Sequence, residues 1–263
     1  MSNNKASSKD DLVLTADLLL DIASSLMGAG SHTSRVVRNI SRMATAFGYE
    51  VFITIFQKNM TMMARKKGCV ESITLVRAAK HMAIDYRVVA ELSELSWQTH
   101  DYHLTPDDVR KEYNRVMEAP RMSRWRVLPL VALANGSFCI LFGGDFISAA
   151  VVFLATLIAF FIRQEMIAQK TNHLVMFVLC SCIASMLTAL GCIKLGLGET
   201  PDIAMATSVL FLIPGVPLLN SIMDILEGHV LTGISRFVNA TMLIISISIG
   251  FLITLLALSI QSN

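Results

Sequence analysis

The residues best placed to do chemistry are Pro214, Gly215 and Pro217, followed by Asn220, Asp224, Glu227 and His229. Two prolines with a glycine between them each remove a backbone donor and crowd the preceding turn, so a helix should break here. Inside an apolar stretch the break frees amides and carbonyls that lipid cannot satisfy, and protein or water must line them. The half-helix starting after Pro217 would offer its amides, then Asn220, Asp224 and Glu227 at i, i+4 and i+7, all on one face. Its positive end suits a carboxylate, so the expected chemistry is the non-covalent holding and passing of a polar solute. Asp224, Glu227 and His229 form a protonatable set that could couple such movement to protons. The plainer alternative is a proline-kinked helix whose polar end emerges as a solvated loop from Asp224 to His229. Arg163 and Gln164, after another apolar stretch, supply a cation that either meets an anionic solute or fixes topology.

These residues must be positioned by helices that cross a membrane. The chain of 263 residues is 54% hydrophobic and 16% charged. All but four of its 22 Lys/Arg and all but six of its 20 Asp/Glu precede Val127. Two domains follow from this asymmetry, 1–126 and 127–263. A spanning helix needs about 20 apolar residues, about 17 at the least. Five uncharged stretches qualify, near 127–144, 146–162, 174–193, 203–223 and 237–260, with the fourth interrupted. Nine Lys/Arg flank these spans on the side of the N-terminal domain (Arg110, Lys111, Arg115, Arg121, Arg124, Arg126, Arg163, Lys170 and Arg236), against Lys194 alone on the other. The positive-inside rule then puts the N-terminus in the cytoplasm and, with an odd span count, the C-terminus outside. Trp125, Phe138, Phe142 and Phe146 suit the interfaces.

The first domain reads as mixed α/β. Residues 1–11 lack the apolar core of a signal peptide and read as a disordered tail. Leu19, Ile22, Ala23 and Leu26 keep a helical period, as do Val36, Ile40, Met43, Ala44 and Phe47 after Gly28-Ala29-Gly30. Glu50–Phe56, Thr61–Arg65 and Val70–Val76 are strand-like, joined at Lys58-Asn59 and Lys67-Gly68, and make a small antiparallel sheet. Val88, Val89, Leu92 and Leu95 resume a helix. Thr105-Pro106-Asp107-Asp108 opens another, and Pro120 stops it.

Several chemistries find no support. Gly28 to Ser34 carries Ser31 and His32 near glycines, but it follows a helix and lacks a third glycine, so a helix break with capping fits better than a dinucleotide loop or a Ser/His nucleophile pair. His81, His100 and His103 lack a metal spacing, and the five cysteines lack C-x-x-C, so no metal or cofactor is expected. A net charge of +2 with no basic run argues against nucleic acid.

The run Thr200-Pro201-Asp202-Ile203-Ala204-Met205-Ala206-Thr207-Ser208-Val209-Leu210, continuing through Ile213-Pro214-Gly215-Val216-Pro217-Leu218-Leu219-Asn220 to Asp224, Gly228-His229 and Thr232-Gly233, resembles the signature of the threonine/serine exporter family. Ile162-Arg163-Gln164, Gly28-Ala29-Gly30 before Arg35-Val36, and the helix after Asp85 extend the likeness over nearly the whole chain. Full-length members carry a second membrane module. This chain resembles the YjjP-type half of split members, whose partner is a separate, smaller YjjB-like membrane protein and which are similar to succinate exporters. The resemblance implies an inner-membrane exporter subunit for anionic or zwitterionic carboxylated metabolites, dicarboxylates or threonine and serine, with no catalytic residues. The rivals are a membrane-anchored enzyme, for which no nucleophile, base and orienting group converge, and a sensor or scaffold.

Overall fold

The computed structural model describes residues 2–56, 59–80 and 82–262, and side chains from 10 to 259 within those ranges. Lys58, His81 and Asn263 lie outside the described residues. The chain forms two compact units: Met1–Pro120 with Val216–Val238, and Arg121–Gly215 with Asn239–Asn263.

In the first unit, α1 (Ser2–Gly28) and α2 (Thr33–Ala46) lead into an antiparallel meander of β1 (Tyr49–Ile55), β2 (Asn59–Lys66) and β3 (Ser72–Ala78), then α3 (Tyr86–Asp101) and α4 (Pro106–Glu118). The segment read as a tail runs as the first turns of α1. Register pairs Val51 with Ala64 and Met62 with Leu75. Period-two alternation turns Met60, Met62 and Ala64 inward, while Phe52 and Phe56 stay exposed. The inward face packs with Leu19, Ile22 and Leu26 of α1, Ile40 and Met43 of α2, and Leu92 and Leu95 of α3 in one core. The Asp85 carboxylate accepts from the amides of Arg87 and Val88 to start α3, and Thr105 with Asp108 forms a capping box on α4.

In the second unit are α5 (Arg124–Leu141), α6 (Phe146–Ala168), α7 (His173–Ala189) ending in a π turn (Leu190–Lys194), and α8 (Pro201–Thr207) followed by a 3-10 turn (Leu210–Leu212). Next come α9 (Gly215–Leu226) and α10 (Val230–Ser262); α10 begins in the first unit and ends in the second. Among the described residues three helices are long and apolar enough to cross a membrane: α6, α7 with its π turn, and α10. The bent pair Pro201–Leu212 and Gly215–Leu226 makes a fourth if it is one crossing. The stretch 127–144 falls in α5, which starts with Arg124 and Arg126, contains Pro129 and is not among the three.

The second unit inverts the usual distribution of polarity. Asn135, Ser148, Thr156, Ser181, Ser185, Thr188, Ser208 and Thr254 are buried, whereas Leu133, Phe146, Leu154 and Leu252 are more than half exposed. Such a surface is stable only against lipid, where helix association relies on close approach and polar seams. On α7 and α10, Ser181 Oγ donates to the Ile247 carbonyl at 2.7 Å and Ser185 Oγ meets Thr254 Oγ1 at 2.7 Å. Gly250 permits this seam, since a Cβ there would lie 2.2 Å from the Val178 carbonyl oxygen. Asp145 joins two connectors: its carboxylate accepts from the amides of Ile147, Ser148, Glu199 and Thr200 and from the Thr200 hydroxyl. The neighbouring Ser148 and Thr200 hydroxyls hold its pKa well below the usual carboxylate range. Thr200 supplies the aligned hydroxyl bond; Ser148 Oγ is close without a well-aligned bond of its own.

Gly250→Ala should destabilise the full chain by about 1–3 kcal/mol through overpacking against backbone, read as a lower thermal midpoint in detergent. Gly215→Ala meets open space and should stay within about 0.5 kcal/mol of the parent.

Candidate functional site

The helix break falls slightly ahead of the glycine. After α8 and its 3-10 turn, Ile213 takes φ −59 and ψ 125, Pro214 is buried, and α9 starts at Gly215. Pro217 then sits in the first turn of α9, where its missing N–H needs no helical partner. Upstream, Asn135 Nδ2 donates to the Ser208 carbonyl at 3.4 Å and to Thr156 Oγ1 at 2.7 Å, so a side chain from α5 satisfies backbone near the interruption.

The polar face of α9 has found partners within its own unit. Asn220 Nδ2 donates to the Gly30 carbonyl at 2.8 Å. Asp224 is fully buried, and its Oδ1 accepts the Thr33 amide at 2.7 Å. Thr33 is the first residue of α2, whose preceding His32 makes no side-chain cap, so Asp224 supplies the missing anion at that helix's positive end. One turn further, Glu227 Oε2 meets His32 Nδ1 at 3.0 Å and Oε1 lies 3.5 Å from Arg38. The Ser34 hydroxyl, then His32 and Arg38, hold the Glu227 carboxyl below its ordinary pKa. His229 closes the turn through its amide, which donates to the Asp224 carbonyl at 2.7 Å.

The second turn of α10 adds a cation. Arg236 lies with NH1 3.1 Å from Asp224 Oδ2, an ion pair whose alignment falls short of a hydrogen bond. Its NH2 donates to the Ser31 carbonyl at 3.2 Å and touches Met27 Sδ at 3.3 Å. Gly233 lets α10 approach α9, because a Cβ there would lie 2.8 Å from the Ser221 carbonyl. Beside these groups opens a cleft of about 300 Å³, whose lining includes Gly28, Gly30, Lys80, Met82, Val216, Pro217, Asn220 and Arg236. Gly28 is required because the Lys80 carbonyl would come within 2.5 Å of a Cβ, and Gly30 turns with φ +99.

Arg163 and Gln164 belong to the second unit. The Arg163 guanidinium lies 5.5 Å from the ring centres of both Phe160 and Phe177, and its buried Nε has no hydrogen-bond partner. Gln164 Nε2 donates to the Arg124 carbonyl at 3.2 Å, and Arg124 pairs with Glu165. Among the described residues no group of three or more His, Cys, Asp or Glu could hold a metal ion.

A family model described as "Putative threonine/serine exporter" matches residues 17–258. The chain belongs to the threonine/serine exporter family. This exporter-family chain is a multi-pass membrane protein by its apolar helices and its relatives. It is 29% identical over 89% of its length to "Probable succinate transporter subunit YjjP" of Klebsiella aerogenes, covering 90% of that protein. It is 28% identical over 88% to the protein of the same description in Escherichia coli, covering 89% of it. A "Probable threonine/serine exporter" of Mycobacterium tuberculosis is 22% identical over 91% of this chain, which spans 45% of that protein. No solved structure matches.

In this exporter-family chain the structure gathers Pro217, Asn220, Asp224, Glu227 and His229 in one unit, and places Pro214, Gly215, Arg163 and Gln164 in the other. Sequence reasoning missed Asn135, Lys80 and Arg236 as site residues. Asn135 was signalled by an amide inside an apolar run, and Arg236 by a cation at the start of one; nothing local marked Lys80.

Asp224→Asn leaves Arg236 buried without its counter-charge and should cost about 3 kcal/mol in thermal or denaturant stability of the full chain. Arg236→Gln should cost a similar amount, and the double variant less than the sum. Glu227→Gln should cost under about 1 kcal/mol. Because its folded pKa is lowered, the Glu227 contribution is complete above the ordinary carboxylate range and fades as pH falls through the lowered value, so Glu227→Gln and parent should converge in acid.

Proposed function

We propose that the chain is one subunit of an inner-membrane secondary exporter of small carboxylated metabolites, dicarboxylates such as succinate first among them, acting with a separate YjjB-like membrane protein. The observation that carries this reading is family membership over residues 17–258 together with the near-full-length likeness to proteins described as succinate transporter subunits. Their description as subunits supports an obligate partner. The exposed apolar flanks of the helices of the second unit, with its buried Ser, Thr and Asn, support a bundle completed by lipid and a further membrane protein.

In this reading residues 1–126 are cytoplasmic and 127–263 hold five spans, the fourth broken, with the C-terminus outside. Pro214, Gly215 and Pro217 set the break. Asn220, Asp224, Glu227 and His229 form the polar face that the solute passes, and Arg163 with Gln164 adds a cation without a carboxylate partner among the described residues. In the state described, loop 30–33 occupies that face through Gly30, His32 and Thr33. Export of threonine and serine is the second reading, favoured by the likeness to the mycobacterial exporter.

Intracellular succinate, threonine and serine should be measured in strains lacking this chain, its partner gene product, or both. Equal accumulation of succinate in all three is the expected result. Accumulation of threonine or serine instead would transfer the function to the second reading, and no accumulation of any would contradict both.

A further inference from the structure

The cleft beside α9 has a charge balance that its neighbours do not neutralise. Around it, Asp17 and Asp21 are paired with Arg77 and Arg110, Arg110 NH1 lying 2.8 Å from Asp21. Asp224 is paired with Arg236. Lys80 is left over: its ammonium donates to Tyr113 OH at 2.7 Å and to Ser25 Oγ at 3.3 Å, both neutral, and it has no carboxylate partner among the described residues. An ammonium has three donors, so one remains for a ligand. The Lys80 backbone is fixed, its amide donating to Ser24 Oγ at 2.9 Å and its carbonyl lying against Gly28.

The cleft that Lys80 lines together with Arg236 has a volume of about 300 Å³, enough for a small organic acid. Met27, Met82 and Ile84 offer apolar walls for a short carbon chain, and no acidic side chain is among the described residues that line the space. Arg236 brings five N–H donors in a planar fork, and its named contacts leave donors over. The first turn of α9 adds the partial positive charge of a helix start at Val216 and Pro217.

We infer that this cleft is a binding site for a small carboxylate anion, with Lys80 and Arg236 as the charged groups that hold it. The choice of carboxylate among small anions rests on the exporter reading above; the cation balance and the cavity stand without it. Because Arg236 also holds Asp224, the bound anion shares a guanidinium with the group that caps α2. Occupancy is thereby linked to the contact between α9 and loop 30–33.

Binding of radiolabelled succinate to the purified full chain in lipid nanodiscs tests this directly. The parent should bind. Lys80→Gln, whose amide can still donate to Tyr113 OH, should weaken binding about tenfold or more, as loss of a charge-assisted contact implies. Met82→Glu, which puts a like charge into the cleft, should abolish binding, while Lys67→Gln, on an exposed turn, should leave it intact. Equal binding in parent and both cleft variants overturns the inference, as does displacement of succinate by inorganic phosphate at equal concentration. If cells lacking the chain accumulate succinate and yet the cleft variants bind normally, the site is wrong and the exporter reading survives; if nothing accumulates while the parent binds and Lys80→Gln does not, the site stands and the exporter reading fails.

Discussion

A carboxylate with no access to water governs the first unit. Asp224 is fully buried, and burial of an ionised carboxyl is unfavourable unless hydrogen bonds and an opposite charge replace its hydration. The replacement comes from two directions: the Thr33 amide at the start of α2 and the Arg236 guanidinium from α10. Two consecutive helices, α9 and α10, and the distant α2 are therefore held by one side chain. Asn220 and Glu227 bond the same loop one turn to either side, so the contact is a stripe along α9.

The second unit obeys the opposite rule. Its apolar side chains face outward and its hydroxyls and amides inward, so lipid contributes no driving force for helix association and polar seams with glycine contacts supply it. Gly250 against Val178, Ser185 against Thr254, and Asn135 against the Ser208 carbonyl at the end of α8 are the visible instances. Asp145 does for the connectors what Asp224 does for the first unit, gathering amides from two loops on one carboxylate.

What the sequence makes legible is what local pattern encodes. The helix periods of α2 and α3, the capping box at Thr105 and the three-stranded meander follow from residue spacing and appear within a few residues of their expected limits; of the five apolar stretches, three lie in helices that are long and apolar enough to cross a membrane among the described residues. The shared face of Asn220, Asp224 and Glu227 was also readable from i, i+4 and i+7. Its partner was not: helical spacing says which side chains point together and nothing about the loop that receives them almost two hundred residues earlier. The same limit hid Lys80, whose significance comes from Asp17 and Asp21 being neutralised by Arg77 and Arg110, a tertiary fact. The loop from Gly28 to Ser34 illustrates the point from the other side. Its glycines read as a helix break, and an anion does sit at the following helix start; that anion is the chain's own Asp224.

The central claim is that the polar face of the interrupted helix is joined to loop 30–33 through a buried Asp224. Amide hydrogen exchange at Thr33 in the full chain reads that bond without reference to transport. The account predicts a strongly protected Thr33 amide that becomes fast-exchanging in Asp224→Ala, which removes the acceptor, while amides in the β2 strand stay protected. A Thr33 amide that exchanges at the same rate in both proteins would contradict it.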